Sequence, residues 1–145
     1  MFITETHIRV RYAETDQMNV VYYGNYAQYF EVARAESIRN LSFTYKEMET
    51  TGIMMPVVEM QTKFLRPAHY DDLLTIRTIL RELPVDHRIQ FEHEVYNQEK
   101  KLLTLGKVIL YFVKIGTFEK TVMPDRLRHL LESFFIDKTE DRHEI

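Results

Sequence analysis

The second half of the chain alternates between apolar and polar residues, a period that predicts strands because successive side chains point to opposite faces. After Pro56 the predicted strands cover residues 57–64, 73–81, 87–96 and 102–114. Short polar connections between them favour an antiparallel meander over parallel crossovers. An earlier alternation at residues 7–12 predicts one more strand, half-buried, with Tyr12 on its apolar face.

A helical period replaces the alternation between residues 25 and 41. At about 100° per residue, one stripe of this helix contains Tyr26, Tyr29, Phe30, Ala33 and Ser37. Val32 and Ile38 place apolar groups outside the stripe, so the helix is predicted to be enclosed on most sides by other structure. Asn25 is the predicted N-cap, whose side chain would accept hydrogen bonds from backbone N–H groups of the first turn.

Shorter helices complete the pattern, one at residues 44–51 that stops at Gly52 and one that begins after Pro124. Charged residues from Asp137 onward predict a frayed tail. This order of elements predicts an α+β fold, with one antiparallel sheet of about five strands wrapped around a long central helix, in a single domain over residues 1–145. Such a sheet keeps exposed edges, which favour pairing with a second copy of the chain.

The composition narrows the functions that the chain can have. Its 145 residues are 45% apolar and 28% charged, which is typical of a globular domain with a real core. The net charge of −3 provides no basic surface for nucleic acid, and no stretch reaches the ~20 apolar residues that span a membrane. Cysteine is absent and the six histidines lack metal-ligand spacing, so no metal or other cofactor is expected. The N-terminus does not resemble a signal peptide, and the cytoplasm is the expected location.

The polar segment ETDQMN separates the first strand from the long helix and contains the strongest candidate for chemistry. The sequence has no nucleophilic-serine elbow and no phosphate-binding loop. Asp16 could act as a base on water or as a nucleophile on a carbonyl group. Unpaired N–H groups at the following helix start, near Tyr23, Gly24 and Asn25, could stabilise an oxyanion. The residues alone leave open a second interpretation, in which Asp16 only shapes a turn.

Other polar residues also allow more than one interpretation. Glu31 and Arg34 lie three residues apart on a largely apolar side of the helix, where they could contact a substrate or form an internal ion pair, the simpler interpretation. His87 and His93 are expected to be solvated or core residues. The tyrosines of the helix region are typical of a core, but their hydroxyl groups need partners, so some are expected to face a cavity or an interface. They are Tyr22, Tyr23, Tyr26 and Tyr29.

Residues 11–34, RYAETDQMNVVYYGNYAQYFEVAR, resemble the signature of the 4-hydroxybenzoyl-CoA thioesterase family of hotdog-fold proteins. In that signature a tyrosine, an acidic residue, a threonine or cysteine and an aspartate precede an aromatic helix. The later stretch FLRPAHYDDLLTIRT is similar to the family's strand connection, and the terminal helix after Pro124 also fits. The resemblance spans nearly the whole chain and is specific for the family, but not for the substrate.

This resemblance implies a hotdog fold and hydrolysis of the thioester of a short aliphatic or aromatic acyl-CoA. It implies that Asp16 is the nucleophile or general base, and that the backbone N–H of Tyr23, beside Gly24, polarises the carbonyl group. The implied partners are the acyl-CoA substrate and further copies of the chain, in a homodimer or homotetramer with active sites at subunit interfaces. The expected substrate contacts are Tyr12, Tyr22, Asn25, Glu31 and Arg88.

Two departures from the family pattern affect these expectations. Many bacterial members have histidine where this chain has Tyr23, while the aromatic-acyl branch has tyrosine, so the preferred acyl group stays open. Asn19 replaces the usual glycine, and asparagine tolerates positive φ. His87 and Arg88 are the nearest equivalents of the residues that hold the nucleotide phosphates. Hydrolysis of a carrier-protein thioester, and acyl-CoA binding without catalysis, are the alternative functions.

Overall fold

A five-stranded antiparallel sheet is the centre of the fold in the computed structural model, which describes residues 1–140. The chain forms the strands β1 (Phe2–Arg9), β2 (Ile53–Met54), β3 (Val57–Phe64), β4 (Leu73–Leu80), β5 (Arg88–Tyr96), β6 (Leu102–Tyr111) and β7 (Val113–Lys114). The order across the sheet is β1-β4-β5-β6-β3, and β2 pairs separately with β7. The predicted meander of the four later strands is confirmed for β4, β5 and β6. It is wrong for β3, which pairs with β6 at one edge of the sheet and not with β4, while β1 pairs with β4 at the other edge.

Three helices accompany the sheet: α1 (Tyr26–Arg39), α2 (Tyr45–Thr50) and α3 (Asp125–Glu140). The predicted stripe of α1 is buried against the sheet, which confirms the hotdog arrangement of a sheet wrapped around a long helix. The enclosure is incomplete, however, because Val32 on the other side of α1 is exposed. At the end of the chain, α3 lies against β1, where the ring centroids of Phe2 and Phe134 are 4.7 Å apart.

A glycine inside a strand makes room for a ring of α1 against the sheet. A Cβ atom on Gly106 of β6 would lie 2.5 Å from the Phe30 ring, so only glycine leaves room for that ring. On the neighbouring strand His93 stacks on the same ring, with centroids 4.7 Å apart and planes inclined by 4°. His93 is buried, as expected of a core histidine, and burial, together with the nearby charge of Arg34, lowers its pKa to about 3.

Several predicted boundaries are wrong. The first strand covers Phe2–Arg9 and not residues 7–12, because the chain leaves the sheet after Val10 and enters a 3₁₀ turn at Tyr12–Glu14. Tyr12 is therefore 78% exposed and does not lie on a buried strand face. At the other end of the chain, α3 continues to Glu140, and the rest of the predicted charged tail lies outside the described residues.

One edge of the sheet is unusually apolar for a solvent-facing strand. β3 pairs with β6 on one side only, so the backbone groups of its other side have no neighbouring strand among the described residues. Val57, Val58, Met60 and Phe64 are each about half exposed. Met60 and Phe64 point to the face that carries α1, since Phe64 contacts the Tyr26 ring at a centroid distance of 5.3 Å.

Candidate active site

The loop after β1 folds into a closed turn around Asp16. The Asp16 N–H donates to Val20 O at 2.9 Å, and the Asn19 N–H donates to Asp16 O at 3.0 Å. The Asp16 carboxylate accepts from the Met18 N–H through Oδ1 at 2.8 Å, while Oδ2 has no hydrogen-bond partner among the described residues. Asn19 has a φ of 64°, so asparagine fulfils the conformational role of the family's glycine. The turn therefore fixes one oxygen of Asp16 and leaves the other available.

The connection between β3 and β4 holds this loop in place. Val21 N–H donates to Ala68 O at 2.8 Å, and Val20 forms a bridge with His69. Ala68 is buried and lies just after the end of β3, in the segment FLRPAHYDD. Asp16 consequently lies at the Phe64 end of the β3 edge strand.

Glu14 anchors the loop to α1, a role that the sequence interpretation missed. Its carboxylate is buried and accepts from the Arg11 N–H at 2.8 Å, the Tyr29 hydroxyl at 3.0 Å and Arg11 Nη2 at 3.2 Å. Burial by itself would raise the pKa of Glu14, but these hydrogen bonds outweigh it and the pKa is lowered. The acidic position of the family signature was the only sequence signal for this residue, and it does not reveal burial.

Asn25 does not cap α1, in contrast to the prediction. Its own backbone is helical, and its side chain accepts no hydrogen bond from the first turn. Asn25 Nδ2 instead donates to Glu14 O at 2.8 Å, and the same oxygen accepts from the Tyr22 N–H at 2.9 Å. The residue that was expected to cap the helix thus ties the helix start to the Asp16 loop.

The start of α1 presents donors without acceptors. A 3₁₀ turn at Tyr23–Asn25 precedes the helix, and the backbone N–H groups of Tyr23 and Gly24 have no acceptor within the part of the chain that the structure describes. A Cβ atom on Gly24 would lie 2.7 Å from the ring of Tyr22, so glycine at this position makes room for that ring. The loop therefore combines an available carboxylate oxygen with two available N–H groups.

Exposed aromatic side chains surround this loop. Tyr22 and Tyr23 are both exposed, with ring centroids 4.6 Å apart, and the hydrogen bond to Tyr23 raises the pKa of Tyr22. Tyr12 packs edge-on against Tyr70 at 5.6 Å. The predicted division of the tyrosines is correct in outline, since Tyr26 and Tyr29 belong to the core, while Tyr22 and Tyr23 face outward.

A second feature lies in the middle of α1, at the opposite end of β3. A cavity of about 510 Å³ opens between α1, α2 and the first residues of β3, and both Glu31 and Arg34 line it. The expected ion pair between these two residues is wrong: they do not pair within the described residues. Glu31 is exposed at the cavity, whereas Arg34 is buried beside Tyr45.

Arg88 is far from Asp16 within one protomer. It begins β5, opposite Tyr111, whereas the Asp16 loop lies near the other end of the sheet, where Tyr96 ends the same strand. At about 3.3 Å per residue, these two ends of β5 are separated by roughly 26 Å. Arg88 Nη2 donates to Gln90 Oε1 at 3.2 Å, and His87 packs against the Tyr111 ring. A single protomer therefore does not bring the expected phosphate contacts to the loop.

A family model described as the thioesterase superfamily matches residues 18–104. The chain belongs to the thioesterase superfamily. The matched residues begin two positions after Asp16, so the match covers α1, α2 and the strands from β2 to β5, but not this carboxylate.

Individual relatives agree with this membership. YneP of Bacillus subtilis is 34% identical over 102 residues, which are 70% of this chain and 73% of the relative. The acyl-CoA thioester hydrolase YbgC of Escherichia coli O6:H1 is 29% identical over 73% of this chain and 78% of its own length. The crystal structure of a DHNA-CoA thioesterase from Staphylococcus aureus superposes with a TM-score of 0.80 at 33% identity, covering 99% of this chain and 91% of that one.

Membership of the superfamily confirms the prediction of a thioester hydrolase. No helix within residues 1–140 is long and apolar enough to cross a membrane. Histidine, aspartate and glutamate side chains in the same residues form no group that could hold a metal ion.

Proposed function

We propose that this protein is a single-domain acyl-CoA thioesterase of the cytoplasm, with Asp16 as its catalytic carboxylate and the N–H groups of Tyr23 and Gly24 as oxyanion donors. One observation carries the proposal: a single loop presents a carboxylate oxygen and two N–H groups that have no hydrogen-bond partner in the described part of the chain. The names of YbgC and the staphylococcal enzyme support coenzyme A as the thiol of the substrate.

Two chemical routes are compatible with this arrangement. In the first, Asp16 Oδ2 adds to the thioester carbonyl, the coenzyme A thiolate leaves, and water hydrolyses the resulting mixed anhydride. In the second, Asp16 removes a proton from water, whose oxygen adds to the carbonyl before the thiolate leaves. In both routes negative charge develops on the carbonyl oxygen, where N–H groups at a helix start are most stabilising.

The β3 edge supports a homodimer as the working unit. Its apolar side chains are half exposed, and the backbone groups of its outer side have no neighbouring strand within residues 1–140; both features are suited to antiparallel pairing with the same strand of a second copy. Such pairing would put the Phe64 end of one β3 beside the Val57 end of the other. The Asp16 loop of one protomer would then lie near the Val57 end of the other β3, where Glu31 of the partner subunit lines the cavity. Arg88 of the partner subunit begins β5 at that same end of the sheet.

Replacement of Asp16 tests the proposal most directly. Asp16→Asn keeps the side chain's size and can still accept from Met18, so we expect the fold to persist and kcat to fall by at least about 100-fold. Thiol release would be measured with acetyl-, hexanoyl-, benzoyl- and 4-hydroxybenzoyl-CoA. Asp71→Asn is the matched control, because Asp71 is exposed and has a φ of 68°, which asparagine also adopts readily.

The outcomes separate the alternatives. Full turnover by Asp16→Asn would remove Asp16 from the mechanism. If the wild type binds these acyl-CoAs but releases no thiol, it is a binding module, and if it releases thiol only from acyl groups linked to a carrier protein, coenzyme A is not the carrier. A monomer with full activity in sedimentation and kinetic measurements would contradict the proposed site between two protomers.

A further inference from the structure

The backbone turn that precedes α1 is tied at its two ends and not in its middle. The Tyr22 N–H and Asn25 Nδ2 both donate to Glu14 O, at 2.9 and 2.8 Å. The Asn25 N–H closes the turn by donating to Tyr22 O at 2.9 Å. Tyr23 and Gly24 lie between these ties, and their N–H groups have no acceptor in the described part of the chain. Backbone hydrogen bonds within that part therefore leave the two proposed oxyanion donors without a direct restraint.

Space, and not backbone conformation, explains the glycine at position 24. Gly52 and Gly116 have positive φ values of 82° and 94° and open space where a Cβ atom would lie, so conformation explains both. Gly24 differs in both respects. Its φ lies outside the left-handed region, and a Cβ atom there would be 2.7 Å from Cε2 and 3.2 Å from Cδ2 of Tyr22. The missing side chain therefore makes room for one edge of the Tyr22 ring.

Burial in the core does not explain this contact of the Tyr22 ring. At Gly106 a ring also fills the place of a Cβ atom, but that ring, Phe30, is completely buried. Tyr22 is 45% exposed and lies outside the buried core cluster. Its ring centroid is 4.6 Å from that of Tyr23, and its hydroxyl group is hydrogen-bonded to Tyr23. The Tyr22 ring thus packs on the two residues of the turn that carry the free N–H groups.

We propose that Tyr22 is a positioning residue, whose ring packs on Gly24 and fixes the backbone of Tyr23 and Gly24 so that their N–H groups keep one orientation. The inference rests on the proposed function and adds to it a side chain that takes no part in the chemistry itself. Donors that are already fixed stabilise an oxyanion without reorienting during the reaction. Glycine by itself gives the turn the widest choice of backbone conformations, so the ring supplies the rigidity that position 24 lacks.

Kinetics of Tyr22 variants test this role, with the acyl-CoA that the wild type hydrolyses fastest. Tyr22→Ala should lower kcat at least about tenfold and change KM less than about twofold, because donors to the transition state are loosened. Tyr22→Phe keeps the ring on Gly24, so its kcat should stay within about twofold of the wild type. Tyr96→Ala is the control, since it removes a half-buried tyrosine ring from β5 and should leave kcat unchanged.

A double-variant cycle tests the contact with Gly24. The Tyr22 ring is half exposed and can swing outward, so Gly24→Ala should fold, displace the ring and lower kcat about as much as Tyr22→Ala. In the double variant the added methyl group meets no ring, so its kcat should match that of Tyr22→Ala within about twofold. Losses that multiply in the double variant would show that the two positions act independently, which would overturn the proposal.

The ratio of kcat to KM effects separates positioning from substrate contact. An unchanged kcat in Tyr22→Ala would overturn the proposal, and a raised KM beside that unchanged kcat would show that Tyr22 is only the expected substrate contact. If Tyr22→Ala does not fold, Tyr22→Leu takes its place, because leucine also lacks the flat ring edge that Gly24 accommodates; it should show the same loss of kcat.

The backbone amides of Tyr23 and Gly24 give a measurement that needs no turnover. Nitrogen-15 relaxation should give order parameters of about 0.85 in the wild type and below about 0.6 in Tyr22→Ala. Equal order parameters in the two proteins would refute the positioning role, even if the wild type releases no thiol. Absence of thiol release with a loss of order in Tyr22→Ala would instead refute the thioesterase proposal and leave the restraint on the turn established.

Discussion

Glu14 and Arg34 are two buried charged residues whose surroundings differ completely. Glu14 is 8% exposed and Arg34 is 5% exposed. The Glu14 carboxylate accepts three hydrogen bonds, and its backbone oxygen accepts two more. Arg34 lines a cavity, but its buried Nε has no hydrogen-bond partner within residues 1–140. Burial alone therefore does not show whether the protein satisfies the hydrogen bonds of a charged group: those of Glu14 are satisfied, and one of Arg34 is not.

Removal of the anchor should have the largest effect on stability. Glu14→Ala leaves the buried Tyr29 hydroxyl and the Arg11 N–H without their acceptor, which we expect to cost about 3 kcal/mol of unfolding free energy. Turnover should also fall, because the Asp16 loop loses its tie to α1. Urea denaturation and thiol release measure the two effects. Glu99→Ala, at an exposed position, is the control, and a loss below about 1 kcal/mol in Glu14→Ala would show that Glu14 is not an anchor.

The buried histidine of β5, His93, should make the stability of the protein depend on pH. Burial lowers the folded-state pKa of His93 to about 3, below its ordinary value of 6.5. Between these values the unfolded chain binds a proton that the folded chain does not, so stability falls as pH decreases, by up to about 1.4 kcal/mol per pH unit. Urea unfolding of the wild type and His93→Phe between pH 6.5 and 4.5 checks this. Equal slopes for the two proteins would contradict it.

Glu14 should contribute pH dependence in a lower range. Its folded-state pKa is lowered, so its contribution is complete above the ordinary value of 4.5 and is lost as pH falls further. The wild type and His93→Phe should therefore share this acid-side loss, whereas Glu14→Gln should lack it. Unfolding free energies at pH 4.5 and 3.5 measure the difference. A smaller loss of stability between these two pH values in Glu14→Gln than in the wild type would assign that part of the loss to Glu14 and not to His93.

Replacement of Arg34 should have the smallest effect on stability. Arg34→Met removes a buried charge whose Nε has no partner among the residues that the structure describes, and apolar replacements of buried charges are often neutral or stabilising. We expect a change below about 1 kcal/mol, in contrast to the loss in Glu14→Ala. A destabilisation of about 3 kcal/mol in urea denaturation would show that Arg34 supports the fold, and the contrast between the two residues would then disappear.

More of the fold than of the candidate site could be predicted from the sequence. The stripe of α1 and the strands themselves followed from periodicity, because burial of one face is encoded by residue spacing. The short connections indicated the meander of β4 to β6, but they did not reveal that β3 pairs with β6. The family signature pointed to Asp16 and to the N–H groups of the helix start. The role of Asn25 was predicted incorrectly, because a cap and a cross-loop donor have the same sequence pattern and differ only in the position of Glu14.

The sequence by itself determined the alternation of strands, the apolar stripe of the long helix and the family signature, since each depends on residues close together in the chain. Only the tertiary structure decided which charged residues are satisfied. Glu14 meets Tyr29 across fifteen positions, and Arg34 reaches a cavity whose walls come from α2, β3 and β6. Such contacts are set by how the elements pack, and no local pattern specifies the packing of a polar group against a distant partner.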